Sequence, residues 1–207
     1  MENEDMLILA SQSETRKTLL AGAGLSFAVR PATIDERAVE SAAVAGGADG
    51  RAVAILLAET KARVVASAEP GALVIGADQT LSFGNELLHK PPDLGDARQQ
   101  LQRLRGKTHR LHAGVALARD GELMWSGAET AELTMRAFST AELDEVLMLE
   151  GDRVLSSVGA YRLEGSSIRL FESIKGDYFT ILGLPLLPLL AALRLHAPTL
   201  FVSGDRR

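Results

Sequence analysis

The 207-residue sequence contains no cysteine. This absence excludes disulfide bonds, thiolate zinc sites and cysteine nucleophiles. The sequence also lacks a long apolar run: the longest, residues 182–193, contains two prolines and is shorter than the ~20 residues that span a bilayer. The N-terminus is acidic, whereas a secretory signal begins with positive charge. We therefore expect a cytoplasmic protein that does not bind membranes.

A block of basic residues is missing as well. The chain carries 22 Lys and Arg against 27 Asp and Glu, which gives a formal net charge of −5. Binding to a nucleic-acid polymer needs a broad positive surface, so we do not expect this class of partner. A small anionic substrate is compatible with the composition if a few cations gather locally.

Several common catalytic motifs are also absent. The sequence has no P-loop. Phe27 stands where a dinucleotide-binding fingerprint beginning at Gly22 would need glycine. Asp78-Gln79-Thr80 lacks the second aspartate of an aspartyl-phosphate phosphatase, and no two histidines have the i, i+4 spacing of a zinc protease.

Hydrophobic patterning predicts strands and helices that alternate along the chain. The predicted strands are residues 6–10, 73–77, 80–83, 86–89, 110–119, 122–126 and 168–174. The predicted helices pass through Leu19 and Leu20, cover 52–68, 96–105 and 184–195, and run from a capping box at Ser139 through Leu147. This alternation, with several hairpins, predicts an α/β fold with a mixed central sheet flanked by helices.

Three further expectations concern individual segments. Residues 41–50 are rich in Ala and Gly and are interpreted as a loop before the second helix. On that helix, Val53, Leu56, Leu57, Thr60 and Val64 are predicted to share the buried face, with Lys61 at its edge. Residues 203–207 are expected to fray.

Polar residues at strand ends and helix starts form a candidate site. Ser11 and Ser13 lie between the first strand and the first helix, where free N–H groups suit a phosphate, and Arg16 follows one turn later. An N-cap serine and a solvated arginine are the alternative interpretation of the same residues. Asp78 directly follows an apolar strand, where a carboxylate is costly unless it is paired, hydrogen-bonded or bound to metal. An Asx-turn is the alternative there.

Two lysines could complete this site. Lys61 lies on the second helix, and Lys90 precedes Pro91-Pro92, which restrict the backbone around it. Each lysine alone is more typical of a solvated side chain. Together with Arg16 they could supply the cationic cluster that a polyphosphate needs.

An ordered set of short motifs covers nearly the whole chain. These motifs are Leu9-Ala-Ser-Gln-Ser-Glu-Thr-Arg-Lys-Thr-Leu-Leu20, Ile34-Asp35-Glu36, Leu57-Ala-Glu-Thr-Lys61-Ala62, Val74-Ile-Gly-Ala-Asp78, His89-Lys90-Pro91, Leu104-Arg-Gly-Lys-Thr-His109, Gly159-Ala-Tyr161 and Gly183-Leu-Pro-Leu186. The set resembles the Maf family of nucleoside triphosphate pyrophosphatases, whose name is linked to septum formation.

The resemblance implies one Maf-like domain over residues 1–207, with an α/β fold in two lobes around a cleft, and a homodimer. It implies hydrolysis of nucleoside triphosphates to the monophosphate and pyrophosphate with a divalent metal, Mg²⁺ or Mn²⁺. By correspondence of motifs, Asp78 is the catalytic carboxylate and a metal ligand, and Glu36 is its acidic partner at the metal. The phosphate-binding positions are Ser11, Ser13, Arg16, Lys61 and Lys90.

The residues that would set base preference depart from the commonest family pattern. Gln79 stands where many members have threonine, and Glu164 where many have glutamine; both changes resemble the branch that acts on 7-methyl-GTP. A glutamate only accepts hydrogen bonds, which suits the adjacent N–H groups of guanine, and its charge suits a methylated, cationic base. Thr15, the third expected specificity position, matches neither branch.

Other functions are compatible with the same sequence. A dTTP/UTP pyrophosphatase of the same family is the nearest alternative. A non-enzymatic nucleotide-binding regulator of cell division would retain the pocket without turnover. A general phosphatase would release orthophosphate instead of pyrophosphate.

Overall fold

The computed structural model describes residues 6–201, so the predicted fraying of residues 203–207 lies outside the described residues. Seven strands of the described chain form one sheet in the order β2-β1-β3-β5-β6-β7, with β4 also paired to β3. The strands are β1 (Leu7–Leu9), β2 (Ala28–Val29), β3 (Leu73–Phe83), β4 (Glu86–Leu88), β5 (Thr108–Arg119), β6 (Glu122–Met135) and β7 (Phe171–Lys175).

The sheet is mixed, as the sequence predicts. Strand β1 pairs in parallel with β2 and β3, whereas β3–β5, β5–β6, β6–β7 and β3–β4 are antiparallel. The helices are α1 (Glu14–Gly22), α2 (Glu36–Ala45), α3 (Gly50–Ala68), α4 (Leu94–Leu104), α5 (Thr140–Glu150), α6 (Tyr178–Ile181) and α7 (Leu186–His196). None of the helices within residues 6–201 is long and apolar enough to cross a bilayer.

Alternation along the central strands directs side chains to both faces of the sheet. Leu73 and Ile75 of β3 pack with Leu189 of α7, whereas Val74 of β3 packs with Ala58 of α3. The C-terminal halves of β3 and β6 and the N-terminal half of β5 form a separate apolar cluster with α4 and α5. The chain is thus α/β with helices on both faces, while its division into two lobes around a cleft stays a prediction.

Two glycines in the sheet bring α3 unusually close. A Cβ built on Gly76 of β3 would lie 2.1 Å from the carbonyl oxygen of Ala58, and one on Gly114 of β5 would lie 2.2 Å from that of Ala54. Since real Cβ atoms do not approach backbone so closely, glycine is needed at both positions. The close contact admits only small side chains on the facing helix, and Ala54, Ala58 and Ala62 are fully buried there.

This contact corrects the predicted face of α3. Val53 and Leu57 are buried as expected, but Leu56 and Val64 are 38% and 42% exposed. The buried face instead includes Lys61, which the sequence places at the edge. The apolar pattern misleads here because alanines, not the larger residues, form the contact with the sheet.

The residues preceding α3 are also corrected. Residues 41–45, expected in a loop, belong to α2. This helix begins at the cap Asp35, whose side chain accepts a hydrogen bond from the N–H of Ala38, and none of its residues is buried. The segment is rich in Ala and Gly and has no buried residue, so its composition resembles that of a loop.

Strand boundaries differ in two places that matter below. The predicted strands 73–77 and 80–83 are one continuous strand, so Asp78 lies within β3 instead of following a strand. The last strand begins at Phe171, because Ser166–Leu170 form a 3₁₀ helix, and not at residue 168. The closing helix begins at Leu186, with Pro185 as its N-cap residue.

Candidate active site

All ten predicted site residues line one pocket of about 740 Å³. The pocket lies where β1 and the middle of β3 meet the loops before α1, after β4 and around residues 156–164. The ten residues are Ser11, Ser13, Thr15, Arg16, Glu36, Lys61, Asp78, Gln79, Lys90 and Glu164.

Three charged groups, two of them buried, occupy the side of the pocket next to α3. Because side chains alternate along β3, Asp78 faces α3, where the ammonium of Lys61 lies 2.6 Å from Asp78 Oδ1 and 2.7 Å from Glu36 Oε1. Asp78 and Lys61 are 8% and 7% exposed, while the Glu36 side chain is half-exposed. Burial raises the pKa of Asp78, although the charges of Lys61 and Arg16 oppose the shift. Asp78 is therefore a more basic carboxylate than one in water.

Arg16 ties three parts of the pocket wall together. Its Nε donates to the carbonyl oxygen of Gly183 at 2.8 Å, and its Nη1 donates to Ser11 Oγ and to the carbonyl oxygen of Ala77, both at 3.0 Å. Ser13 caps α1 through the N–H of Arg16, as its alternative interpretation predicts. Burial lowers the pKa of Arg16, with Asp78 and Glu36 opposing the shift. Its two remaining N–H groups, on Nη2, have no partner within residues 6–201 and are available to a ligand.

Lys90 is the second cation of the pocket. Within residues 6–201 no carboxylate forms an ion pair with it. Burial lowers the pKa of Lys90, and the positive charge of Arg16 lowers it further, against the attraction of Glu36 and Asp78. Two cations that repel each other across a pocket are both stabilised when a polyanion binds between them.

Gln79 points to the face of β3 opposite to that of Asp78, and hydrogen bonds of its side-chain amide fix its orientation. Its Nε2 donates to the carbonyl oxygens of Thr180 at 3.1 Å and Ile181 at 3.0 Å. A side-chain amide has two N–H donors, so both are used, and a flipped amide would set its oxygen against two carbonyls. Gln79 therefore offers a ligand only the acceptor Oε1.

Glu164 lies in a loop that contacts the buried carboxylate of Glu150. Glu164 Oε1 accepts from Arg162 Nε at 3.2 Å, and Arg162 Nη1 lies 3.5 Å from Glu150 Oε2. Glu150 is 2% exposed, and its Oε1 accepts from Ser166 Oγ and from the N–H of Ser167. Glu164 therefore both lines the pocket and pairs with Arg162.

Comparison with known proteins identifies the family of this chain. The sequence profile described as "Maf-like protein" matches residues 6–196. The chain belongs to the Maf-like family.

Relatives of this Maf-like chain carry names that state an activity. It is 53% identical to the 7-methyl-GTP pyrophosphatase of Brucella abortus and 54% identical to that of Rhizobium johnstonii, in each case over 91% of this chain and 94% of the relative. It is also 54% identical to a protein of Nitrobacter winogradskyi named nucleoside triphosphate pyrophosphatase, over 91% and 92% of the two chains.

The Maf-like pocket offers few metal ligands of its own. Within residues 6–201 no group of three His, Asp or Glu side chains could enclose a metal ion. Asp78 and Glu36, both paired with Lys61, form a pair of carboxylates in the same pocket as Arg16 and Lys90. Mg²⁺ is commonly bound by one or two carboxylates together with substrate phosphates and water, so this donor set fits a metal that arrives with a triphosphate.

Several pocket residues were missed from the sequence. The pocket is also lined by Arg37, Ser156, Ser157 and Arg162, and by Tyr161, which is predicted only as part of a motif. Arg37 directly follows Glu36 and Arg162 lies two positions before Glu164, so closeness in sequence to predicted residues was the one available signal. Ser156 is the last residue of a 3₁₀ helix and Ser157 is its C-cap. Such a short helix has no hydrophobic period by which the sequence could predict it.

Proposed function

We propose that this chain hydrolyses nucleoside triphosphates to the monophosphate and pyrophosphate, and that 7-methyl-GTP is its preferred substrate. The observation that carries the proposal is the pocket itself. One buried carboxylate, Asp78, lies there with a raised pKa beside Lys90, which has no ion-pair partner within residues 6–201, and Arg16, whose Nη2 is unpaired among the same residues. The names of the Brucella and Rhizobium relatives support the same substrate.

The reaction uses the residues in two groups. Asp78 orients a water molecule and accepts its proton as the water oxygen attacks the α-phosphorus. The bond from the α-phosphorus to the bridging oxygen breaks, and pyrophosphate leaves with that oxygen. Arg16 and Lys90 stabilise the negative charge that grows on pyrophosphate, and Ser11 and Ser13 add hydrogen bonds to the phosphates. Lys61 holds Asp78 and Glu36 in position.

A divalent cation, Mg²⁺ or Mn²⁺, belongs to the proposal. Asp78 and Glu36 are the residues that would hold it, and it would polarise the α-phosphate. Removal of divalent cations with EDTA is expected to abolish turnover, and readdition of Mg²⁺ should restore it.

The preference for a guanine base rests on two acceptors. Gln79 offers only Oε1, and Glu164 offers only carboxylate oxygens, whereas guanine presents N1–H and the N2 amine as adjacent donors. Thymine and uracil place a donor between two acceptors, and these acceptors would meet Gln79 and Glu164 with like polarity. A buried mismatch of this kind costs roughly 1–3 kcal/mol, which is about tenfold or more in preference.

The test is a panel of 7-methyl-GTP, GTP, dTTP and UTP with the products identified by ³¹P NMR. We expect pyrophosphate from each turned-over nucleotide and the highest kcat/KM for 7-methyl-GTP. A higher kcat/KM for dTTP or UTP would assign the chain to the alternative branch. Binding without turnover would indicate a nucleotide-binding regulator, and release of orthophosphate would indicate a general phosphatase.

The proposal includes a homodimer in the cytoplasm, where nucleoside triphosphates are used. Leu56 and Val64, about two turns apart on α3, expose apolar surface, as does Val44 of α2. Such a surface is typical of an interface. Light scattering after size-exclusion chromatography should give twice the chain mass of 22.1 kDa, and a monomer at micromolar concentration would contradict this part.

A further inference from the structure

A buried pair of polar rings lies beside the pocket and has no part in the mechanism above. His109 of β5 and Tyr161 are 1% and 3% exposed, and His109 Nε2 lies 2.7 Å from the hydroxyl oxygen of Tyr161. Tyr161 also lines the pocket. The pair therefore connects the interior of the sheet to the ligand site.

Hydrogen-bond accounting decides which partner donates. His109 Nδ1 is buried and has no hydrogen-bond partner within residues 6–201. If Nδ1 carried the ring proton, this buried N–H would be left unpaired, away from the pocket lining. If Nε2 carries the proton and donates to Tyr161, the unpaired donor is instead the hydroxyl of Tyr161, a residue that lines the pocket and whose O–H a ligand can pair. The geometry therefore favours a proton on Nε2, with His109 donating to the hydroxyl oxygen of Tyr161, in the liganded protein.

The protonation states agree with this geometry. Burial lowers the pKa of His109 to about 4, so the ring is neutral near pH 7 and carries a single proton. Burial raises the pKa of Tyr161, so its hydroxyl keeps its proton. With His109 as the donor, the Tyr161 proton has no acceptor within residues 6–201 and is available to a ligand.

The backbone fixes the ring of Tyr161 in this place. A Cβ on Gly159 would lie 2.2 Å from Tyr161 Cε1, so glycine is needed there. Ala160 has φ of +58°, a left-handed conformation that is unfavourable for a non-glycine residue. Tyr161 also meets the ring of Phe171 edge to face, with centroids 4.8 Å apart. Strain held directly before a pocket residue is typical of a functional constraint.

We propose that the hydroxyl of Tyr161 donates a hydrogen bond to the carbonyl oxygen O6 of a bound guanine-type base, and that His109 is the positioning residue that directs this proton. The inference rests on the proposed function, because it assigns the third contact of the same base. O6 lies next to N1–H on the guanine edge, so one donor in the same pocket as the acceptors Gln79 and Glu164 completes the match. A pyrimidine with two acceptors flanking its N–H cannot satisfy this set.

The first experiment measures the His109 ring directly. Nitrogen-15 NMR of the full chain saturated with GMP at pH 7 should show a neutral ring with the proton on Nε2. A proton on Nδ1 would make Tyr161 the donor to His109 and would overturn the inference. This readout does not depend on turnover, so it is separate from the proposed function.

The second experiment uses binding of GMP and of 2-aminopurine riboside monophosphate, which lacks O6 and N1–H. We expect the wild type to prefer GMP, and Tyr161→Phe to reduce the ratio of the two Kd values by about fivefold to tenfold. Because the loss of N1–H is common to both proteins, the reduction isolates the contact with O6. Tyr178→Phe, at the exposed second tyrosine, is the matched control and should leave the ratio unchanged.

Two variants of His109 complete the test. His109→Gln retains an N–H donor for the Tyr161 oxygen and should keep the preference for GMP, whereas His109→Leu should reduce it. If Tyr161→Phe weakens both ligands equally, Tyr161 is only structural and the inference is wrong. If the base preference behaves as expected but the wild type hydrolyses no nucleoside triphosphate, the proposed function fails alone.

Discussion

Lys90 is the residue whose role in the pocket can be tested with least disturbance of the fold. It has no ion-pair partner within residues 6–201, and its pKa is lowered by burial and by Arg16. Lys90→Ala removes a cation that stabilises the leaving pyrophosphate, so we expect kcat/KM to fall by about 10²–10³. Lys17→Ala is the control, since Lys17 pairs with Glu14 at the surface and should leave kcat/KM unchanged. Equal kinetics of the two variants would remove Lys90 from the site.

Glu164 tests the base preference at the same scale. Glu164→Gln replaces an acceptor by a group that both donates and accepts, so we expect kcat/KM for dTTP to rise relative to 7-methyl-GTP by about tenfold. Gln79→Thr in addition should enlarge the shift, because it removes the fixed acceptor. The control Glu172→Gln lies on an exposed position of β7. An unchanged ratio in Glu164→Gln would mean that this carboxylate serves only its pair with Arg162.

The residues of the pocket were predictable as a set, and their orientation was not. Ordered motifs place Ser11, Asp78 and Lys90 near one another without coordinates, because the family spacing carries the fold. The amide of Gln79 could not be oriented from sequence, since its partners, Thr180 and Ile181, lie about a hundred positions away. The pairing of Lys61 with Asp78 could not be predicted either, because the two residues lie on different elements, 17 positions apart.

At the scale of elements, α3 and the sheet below it form the most constrained contact. Gly76→Ala or Gly114→Ala would drive a Cβ into the backbone of α3, which carries Lys61. We expect the free energy of unfolding to fall by about 3 kcal/mol or more, since overpacking of a tight core typically costs 1–3 kcal/mol and backbone cannot yield like a flexible side chain. Thermal and urea unfolding measure the change.

Gly22→Ala is the matched control for this contact. No atom lies within 4 Å of a Cβ at Gly22, which ends α1, so alanine should be neutral or stabilise by up to about 1 kcal/mol. If Gly76→Ala were as stable as Gly22→Ala, the close approach of α3 to β3 would be wrong.

Element prediction succeeded where apolar periods were strong and failed where contacts are made by small residues. The β3–β4 hairpin around Gly84 and the capping box at Ser139 were predicted and are confirmed. Helix α2 was missed because none of its residues is buried, and the face of α3 was misplaced because alanines form its contact. Hydrophobicity scales assign alanine a low value, so a pattern of large apolar residues does not mark this face. Glycine in the facing strands brings the helix so close that alanine is the side chain with room there.

At the scale of the whole molecule, His109 links stability to pH. Its pKa is about 4 in the folded protein and about 6.5 when unfolded, so the unfolded chain binds a proton first as the pH falls. Stability from the neutral ring is fully present above pH 6.5 and is lost as the pH falls toward 4, by about 3 kcal/mol in total. Burial lowers the pKa of His112 as well, which adds to the loss with the same sign.

Urea unfolding of the wild type and of His109→Gln between pH 4 and 7 measures the contribution of His109 to the pH dependence of stability. The variant cannot titrate at this position, so its stability should fall less steeply with acid, and the difference between the two proteins should change by about 3 kcal/mol over that range. Parallel curves would show that His109 is not buried as a neutral ring.

The central claim is that Asp78 is the group that activates water in a nucleoside triphosphate pyrophosphatase. The most direct measurement is turnover of 7-methyl-GTP by wild type and Asp78→Asn at saturating Mg²⁺, with products followed by ³¹P NMR. The nearly isosteric amide keeps the packing but cannot accept the proton, so we expect the variant to unfold cooperatively and to lose about 10²–10⁴ in kcat, while the wild type releases pyrophosphate. Release of pyrophosphate by Asp78→Asn at the wild-type rate would contradict the claim.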